Sequence, residues 1–195
     1  DPAMNHIGQR LGIKDKLRLI AGQYGLRDGE NSSVPLLGDE LASNMLEFGN
    51  GGKLTVVAVE EETGEIGIEL MGQDHGPGIE DPDKIRIESL ERLYIGGFGF
   101  YHFSHVPDRC IIESFGRLWK LTPDRTFQDV GPGTVAKGDG TRITLTVYRK
   151  DGGGEPSTTM PDTVRPEPDT PPMDTQSIKN DTPKLIDLAL EEAPR

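Results

Sequence analysis

Several things are scarce in this chain, and each scarcity removes a class of explanation. There is one cysteine, Cys110, so the chain closes no internal disulfide and offers no multi-cysteine zinc site, a usage suited to a reducing cytoplasm. Positive charge is in deficit. Against 33 Asp and Glu stand 21 Lys and Arg, a net charge of −12, which opposes a broad nucleic-acid face or attachment to an anionic membrane. Long apolar runs are missing, none approaching the roughly 20 residues of a membrane span, and no secretory signal is visible, so a cytoplasmic location is expected. Apolar residues make up 33% of 195 residues and aromatic ones 6%, too little for a chain packed throughout. Part of it should lie outside the core.

The composition shows which part. Half of the net charge, −6, falls in residues 151–195. Residues 151–180 concentrate Pro, Asp, Thr and Ser without periodicity and are expected to be a disordered acidic linker. From 181 to 195, Thr182-Pro183 followed by Leu185, Ile186, Leu188 and Ala189 predicts a short amphipathic C-terminal helix, which either docks on a partner or the domain or frays. Residues 5–150 are left as the folded domain.

Within that domain the apolar spacing of Leu17, Ile20, Ala21 and Tyr24 predicts a packing helix over 14–24, stopped by Gly25, with Lys14, Lys16 and Arg18 on a solvated face. Asn31-Ser-Ser33 offers an N-cap for a second helix running to about Phe48. Its stripe is Val34, Leu37, Leu41, Met45 and Phe48; Glu40 and Asn44, four apart, stack one above the other on the flank. They are either ordinary surface residues or one half of a site. Gly49-Asn-Gly-Gly52 turns the chain into a strand at Leu54–Val59, Glu62-Thr-Gly64 turns it back, and a return strand ends at Asp74.

Asp74-His-Gly-Pro-Gly-Ile79 then brings a carboxylate to a strand end beside two glycines, where bare backbone can lie against a flat polar ring. Asp129-Val-Gly-Pro-Gly133 repeats the pattern but reads as a hairpin loop, so Asp74 is taken as the functional copy. Beyond it, Asp81 caps a helix over about 84–94. The segment Ile95-Gly-Gly-Phe-Gly-Phe100 reads as a movable loop whose amides can surround phosphates, or else as a flexible linker. His75, His102 and His105 invite a metal reading but suit plain loop or packing positions better. A short helix is expected over 107–115, with Cys110 small and buried. Strands are expected at 117–121 and 142–148, with Gly140-Thr141 at the entrance of the last.

In this order the motifs resemble the GHKL ATPase superfamily, whose domain has the Bergerat fold. The resemblance covers residues 5–150, and Glu40-Leu-Ala-Ser-Asn44, Gly49, Gly51 and Asp74-x-Gly-Pro-Gly-Ile79 look most like the RsbT-type serine/threonine switch kinases of bacterial stress-response modules. It implies an α+β two-layer sandwich with helices on one face of a mixed, mostly antiparallel sheet, binding ATP and Mg2+. Asn44 would hold the magnesium ion, a neutral amide oxygen being a hard ligand that adds no charge beside a triphosphate. Asp74 would accept the adenine amino hydrogen, with Gly76, Gly78 and Ile79 against the ring and Thr141 supporting the same edge. Glu40 would be the general base, and the loop carrying Gly96, Gly97 and Gly99 the lid over the phosphates. The implied partner is a STAS-domain antagonist or a sigma-factor regulator, which the C-terminal helix could help to dock. The alternatives are a non-catalytic ATP-dependent module that sequesters a regulator, as an anti-sigma factor does, or an orphan histidine-kinase-type ATPase domain. Two departures stand out. The lid reads Gly-Gly-Phe-Gly-Phe-Tyr-His where Gly-x-Gly-Leu-Gly is commoner, and residues 123–139 are longer than the compact family needs.

Overall fold

Alternating apolar residues build the sheet, and their register puts them all on one face. The computed structural model describes residues 2–26, 33–91, 99–149 and 186–190. In it β1 (Gly52–Glu60) and β2 (Ile66–Asp74) pair antiparallel with Val56 opposite Leu70, and β6 (Thr141–Tyr148) sets Leu145 against Leu70 from the other side. Next comes β3 (Arg109–Ser114), whose Ile112 faces Ile143, then β4 (Arg117–Leu121), whose Trp119 faces Ile112, then β5 (Phe127–Pro132). With β7 (Ile186–Leu190) on the far side of β1, the order is β5-β4-β3-β6-β2-β1-β7. Leu54, Val56, Ile68, Leu70, Ile112, Leu145 and Val147 are buried in one continuous core.

That face is covered by α2 (Ser33–Glu47), which lays Val34, Leu37, Leu41 and Met45 on the strands. Fully burying one such side chain is worth about 1.5–3 kcal/mol. Helix and sheet approach closely at Gly72, where a Cβ would stand 3.3 Å from Leu41 Cδ2. On α2 lies α1 (Pro2–Gln23), its Leu17 Cδ1 occupying the space a side chain on Gly38 would need. The layer is completed by α3 (Pro82–Glu91) and α4 (Gly99–His105), the latter burying Phe100 and Phe103. The result is an α+β fold with helices against one face of an antiparallel sheet, the arrangement of a two-layer sandwich. Among the described residues no helix is long and apolar enough to cross a membrane.

Five expectations are corrected. Every pairing in the described sheet is antiparallel, so the mixed sheet is not found among these residues. Residues 109–114 form a central strand in place of a helix: Cys110, Ile112 and Ser114 are buried and alternate with more exposed neighbours, a period of two that a helix cannot satisfy. The expected C-terminal helix is β7, paired over Gly52–Val56 of β1. A helix of that length is marginal alone, whereas the free edge of β1 offers a ladder of backbone partners. Asp129 sits in the edge strand β5, where a loop was expected. Finally, Gly99 opens α4 where a loop was expected; Gly96, Gly97 and the linker 151–180 lie outside the described residues.

Candidate functional site

The site begins where β2 runs out. Asp74 closes that strand opposite Gly52 of β1, and β6 begins beside it at Thr141. Three glycine-bearing turns press on this point. A Cβ on Gly49 would stand 2.5 Å from Asp74 Cβ, and one on Gly140, whose φ is +85°, only 2.2 Å from the Asp74 carbonyl oxygen. Gly49 also accepts a hydrogen bond from the His75 amide at 2.9 Å. Only bare backbone fits here.

The crowding organises the carboxylate. Asp74 Oδ1 accepts hydrogen bonds from the amides of Gly76 and Thr141, each at 2.9 Å. Among the described residues Oδ2 has no such partner. Burial pushes the Asp74 carboxyl above its ordinary value, against the opposing pull of those two amides and of His75. The chain then turns through Gly78 at φ +88°, where a Cβ would collide with the Phe115 ring at 2.7 Å and Ser114 Oγ at 2.8 Å. The turn Gly76–Ile79 lines the cavity of the site.

The second half comes from α2. Because α2 is docked by its Leu37, Leu41 and Met45 stripe, Glu40 and Asn44 are carried on its flank toward the same space. The first turn of α4 arrives against them: a Cβ on Gly99 would lie 3.1 Å from both Asn44 Nδ2 and Glu40 Oε2. His102, one turn on, bonds Glu40 Oε1 through Nδ1 at 3.1 Å. No group among the described residues hydrogen-bonds the Asn44 carboxamide.

Between these halves lies one cavity of about 680 Å³, within the usual size for a small-molecule site. Of the residues singled out from sequence, Glu40, Asn44, Asp74, Gly76, Gly78, Ile79, Gly99 and Thr141 all line it. Apolar walls come from Phe48, Ile85, Phe100 and Ile143. Ile85 is brought there by α3, which is capped by Asp81 accepting the Lys84 amide at 3.1 Å and tied to β5 by Asp83 accepting the Phe127 amide at 3.0 Å.

No family model, no curated protein and no solved structure matches this chain. The lining of the cavity combines three carboxylates, Glu40, Glu47 and Asp74, the unengaged Asn44 carboxamide, the backbone of the Gly76–Ile79 turn, and apolar side chains. Among the described residues no group of three or more His, Cys, Asp or Glu could hold a metal ion. A divalent ion at Asn44 would thus need oxygens from its ligand as well. The histidines serve other ends: His102 holds Glu40, and His105 stacks on Tyr101 with centroids 4.1 Å apart.

Three contributors, Gly140, His102 and Ser114, escaped the sequence reading, and for a fourth, Gly49, only its place in a motif was read. Gly49 and Gly140 looked like turn residues, and only the fold reveals that both abut Asp74. His102 gave no sign of reaching Glu40, 62 positions away. Ser114 was hidden in a segment read as helix; it is fully buried behind the Gly78 turn.

Proposed function

We propose that this protein is a GHKL-type kinase that binds Mg-ATP in the cavity between α2 and the end of β2. It phosphorylates a serine or threonine on a STAS-domain antagonist or sigma-factor regulator within a bacterial partner-switching pathway. The observation that carries the reading is that Asn44 and Asp74, on different elements, open onto one cavity with Glu40, Gly76, Gly78 and Thr141. Oδ2 of Asp74 fits an exocyclic amine, and the Gly76–Ile79 turn that lines the cavity beside it fits the edge of a flat ring. The apolar walls suit a base and sugar. When bound, Mg-ATP supplies the phosphoryl group and the charge neutralisation that its transfer needs. Asn44 offers the metal a neutral oxygen. Glu40 takes the proton of the attacking hydroxyl, a contribution of about 10² to 10⁴ in rate. His102 fixes the orientation of that carboxylate.

Transfer of labelled phosphate from Mg-ATP to a STAS-domain protein tests the proposal. Glu40→Ala should reduce transfer by roughly 10²-fold or more while Mg-ATP still binds. Failure of the wild-type chain to bind Mg-ATP would refute the reading. The Glu40–His102 pair favours one other interpretation, a binding module whose nucleotide only sets its shape, since one oxygen of the base is already engaged. Undiminished ATP-dependent capture of a regulator with no transfer would select it.

A further inference from the structure

We propose that the Gly52–Val56 edge of β1 is a strand-docking surface for a partner protein: residues 186–190 hold it in cis, and an extended segment of the partner with the same alternation of apolar residues takes their place. The proposal stands apart from the nucleotide reading and gives the sheet a second site.

The ladder carries it. β1 pairs with β2 along all of Gly52–Glu60, but with β7 only from Gly52 to Val56. β7 lies at the end of the sheet and has β1 as its one neighbour among the described strands. Its release leaves β1 paired on the inner side and bares a row of backbone donors and acceptors on the outer one, the template on which an extended chain adds. The register says which chain fits. Ile186 and Leu188 stand opposite Val56 and Leu54, Leu190 opposite Gly52, and Asp187 and Ala189 opposite Thr55 and Lys53. Leu54 and Val56 are buried in the core, so apolar residues at every second position are what this edge accepts.

Residues 186–190 are also easily given up. β6 ends at Tyr148 opposite Gly67, which stands opposite Val59, three residues along β1 from the start of β7 at Val56. Three strand spacings and three residues make a gap of roughly 18 Å. The chain between Tyr148 and Ile186 could stretch to roughly 120 Å. Closing so long a loop is roughly 20-fold less favourable than closing the 61–65 loop between β1 and β2. A strand of five residues with one neighbour and such a connection belongs to the part of a sheet that opens first. The edge adjoins the cavity as well: Gly52 pairs with Leu190 on one side and with Asp74 on the other.

A labelled peptide of residues 182–192, titrated into the full chain and followed by amide spectra, tests the proposal without any nucleotide. Of two consecutive amides in an edge strand one faces the neighbour, so Leu188→Pro combined with Ala189→Pro removes a ladder donor in either phase and vacates the edge. The peptide should bind this variant roughly 10-fold or more tighter than the wild type, whose own segment competes at a millimolar effective concentration. Shifts should gather at Gly52–Val56. Leu188→Gly, which weakens the strand without locking its backbone, should fall between the two, and carries the same comparison should the double variant fail to fold. A peptide of the same composition with its apolar residues in one block should bind neither. Equal binding to wild type and variants, no binding to a folded variant, or equal binding of the rearranged peptide would overturn the proposal. Concentration-dependent dimers of the wild type with shifts at the same edge would make the occupant a second copy of the chain and overturn the choice of a different partner.

Discussion

The chain contains Asp-x-Gly-Pro-Gly twice, at Asp74–Gly78 and Asp129–Gly133, and the two copies begin alike. In each the carboxylate accepts the amide two residues on, Gly76 at 2.9 Å and Gly131 at 3.0 Å, the local turn that Asp favours anywhere. They part at the next bond. Asp74 takes the amide of Thr141, 67 positions later, whereas Asp129 pairs with the exposed Arg117 side chain at 3.2 Å. The cause is position in the sheet. Between β1 and β6, β2 ends against the turns at Gly49 and Gly140, which enclose its last residue; β5 is an edge strand with β4 on one side only. The motif encodes this short-range hydrogen bond, and the fold decides whether it lies in an edge strand, as at Asp129, or in a cavity wall, as at Asp74.

The sharpest way to break this comparison is to neutralise each aspartate in turn. Asp74→Asn should weaken Mg-ATP by roughly 10- to 100-fold, the range for losing a hydrogen bond to a charged group, while Asp129→Asn leaves affinity unchanged. Titration calorimetry on the two variants decides it, and equal effects would erase the distinction.

The glycines give a second contrast. Gly78→Ala must adopt φ +88° and push into the Phe115 ring and Ser114 Oγ, costing about 3 kcal/mol when strain and overpacking combine. Gly131 has φ +126° but nothing within 4 Å of an added Cβ, so Gly131→Ala should cost about 1 kcal/mol from backbone strain alone. Urea denaturation measures both, and similar losses would mean that the Gly78 wall is not packed as described.

A smaller effect concerns pH. Because burial raises the Asp74 carboxyl above the ordinary 3.8, its ionised form burdens the folded state. That burden is fully present above the raised value and is relieved as pH falls through it toward 3.8. Wild-type stability relative to Asp74→Asn should therefore decline as pH rises through this window. Denaturation series from pH 4 to 7 would reveal the sign, and a difference for Asp74 that grows in the wild type's favour would contradict it.

How much of this could be read in advance follows from the range of each cause. Periodicity is local, so the stripe of α2 from Val34 to Met45 and the strands β1, β2, β4 and β6 were legible, and with them the flank positions of Glu40 and Asn44 and the strand-end position of Asp74; Phe48, expected on the same stripe, lies beyond the helix and is exposed. Residues 109–114 misled because Pro107 and the adjacent Ile111 and Ile112 obscured a short alternation whose burial depends on both neighbouring strands. For β7 the partner is the edge of β1, more than a hundred residues away, and nothing local favours strand over helix in so short a run. The Glu40–His102 bond, the glycines abutting Asp74 and the hydrogen bonds of Ser114 with Ile79 and Gly140 all join segments distant in the chain. Their residue types carry no mark of it.

The central claim is that the end of β2, and no other part of the sheet, receives a nucleotide. Amide correlation spectra of the full chain, recorded as Mg-ATP is added, test it most directly. The account predicts shifts gathered at Gly76, Gly78, Ile79 and Thr141, with Asp129 and Gly131 unmoved. Shifts at the Asp129 turn in their place, or spectra that do not respond, would contradict it.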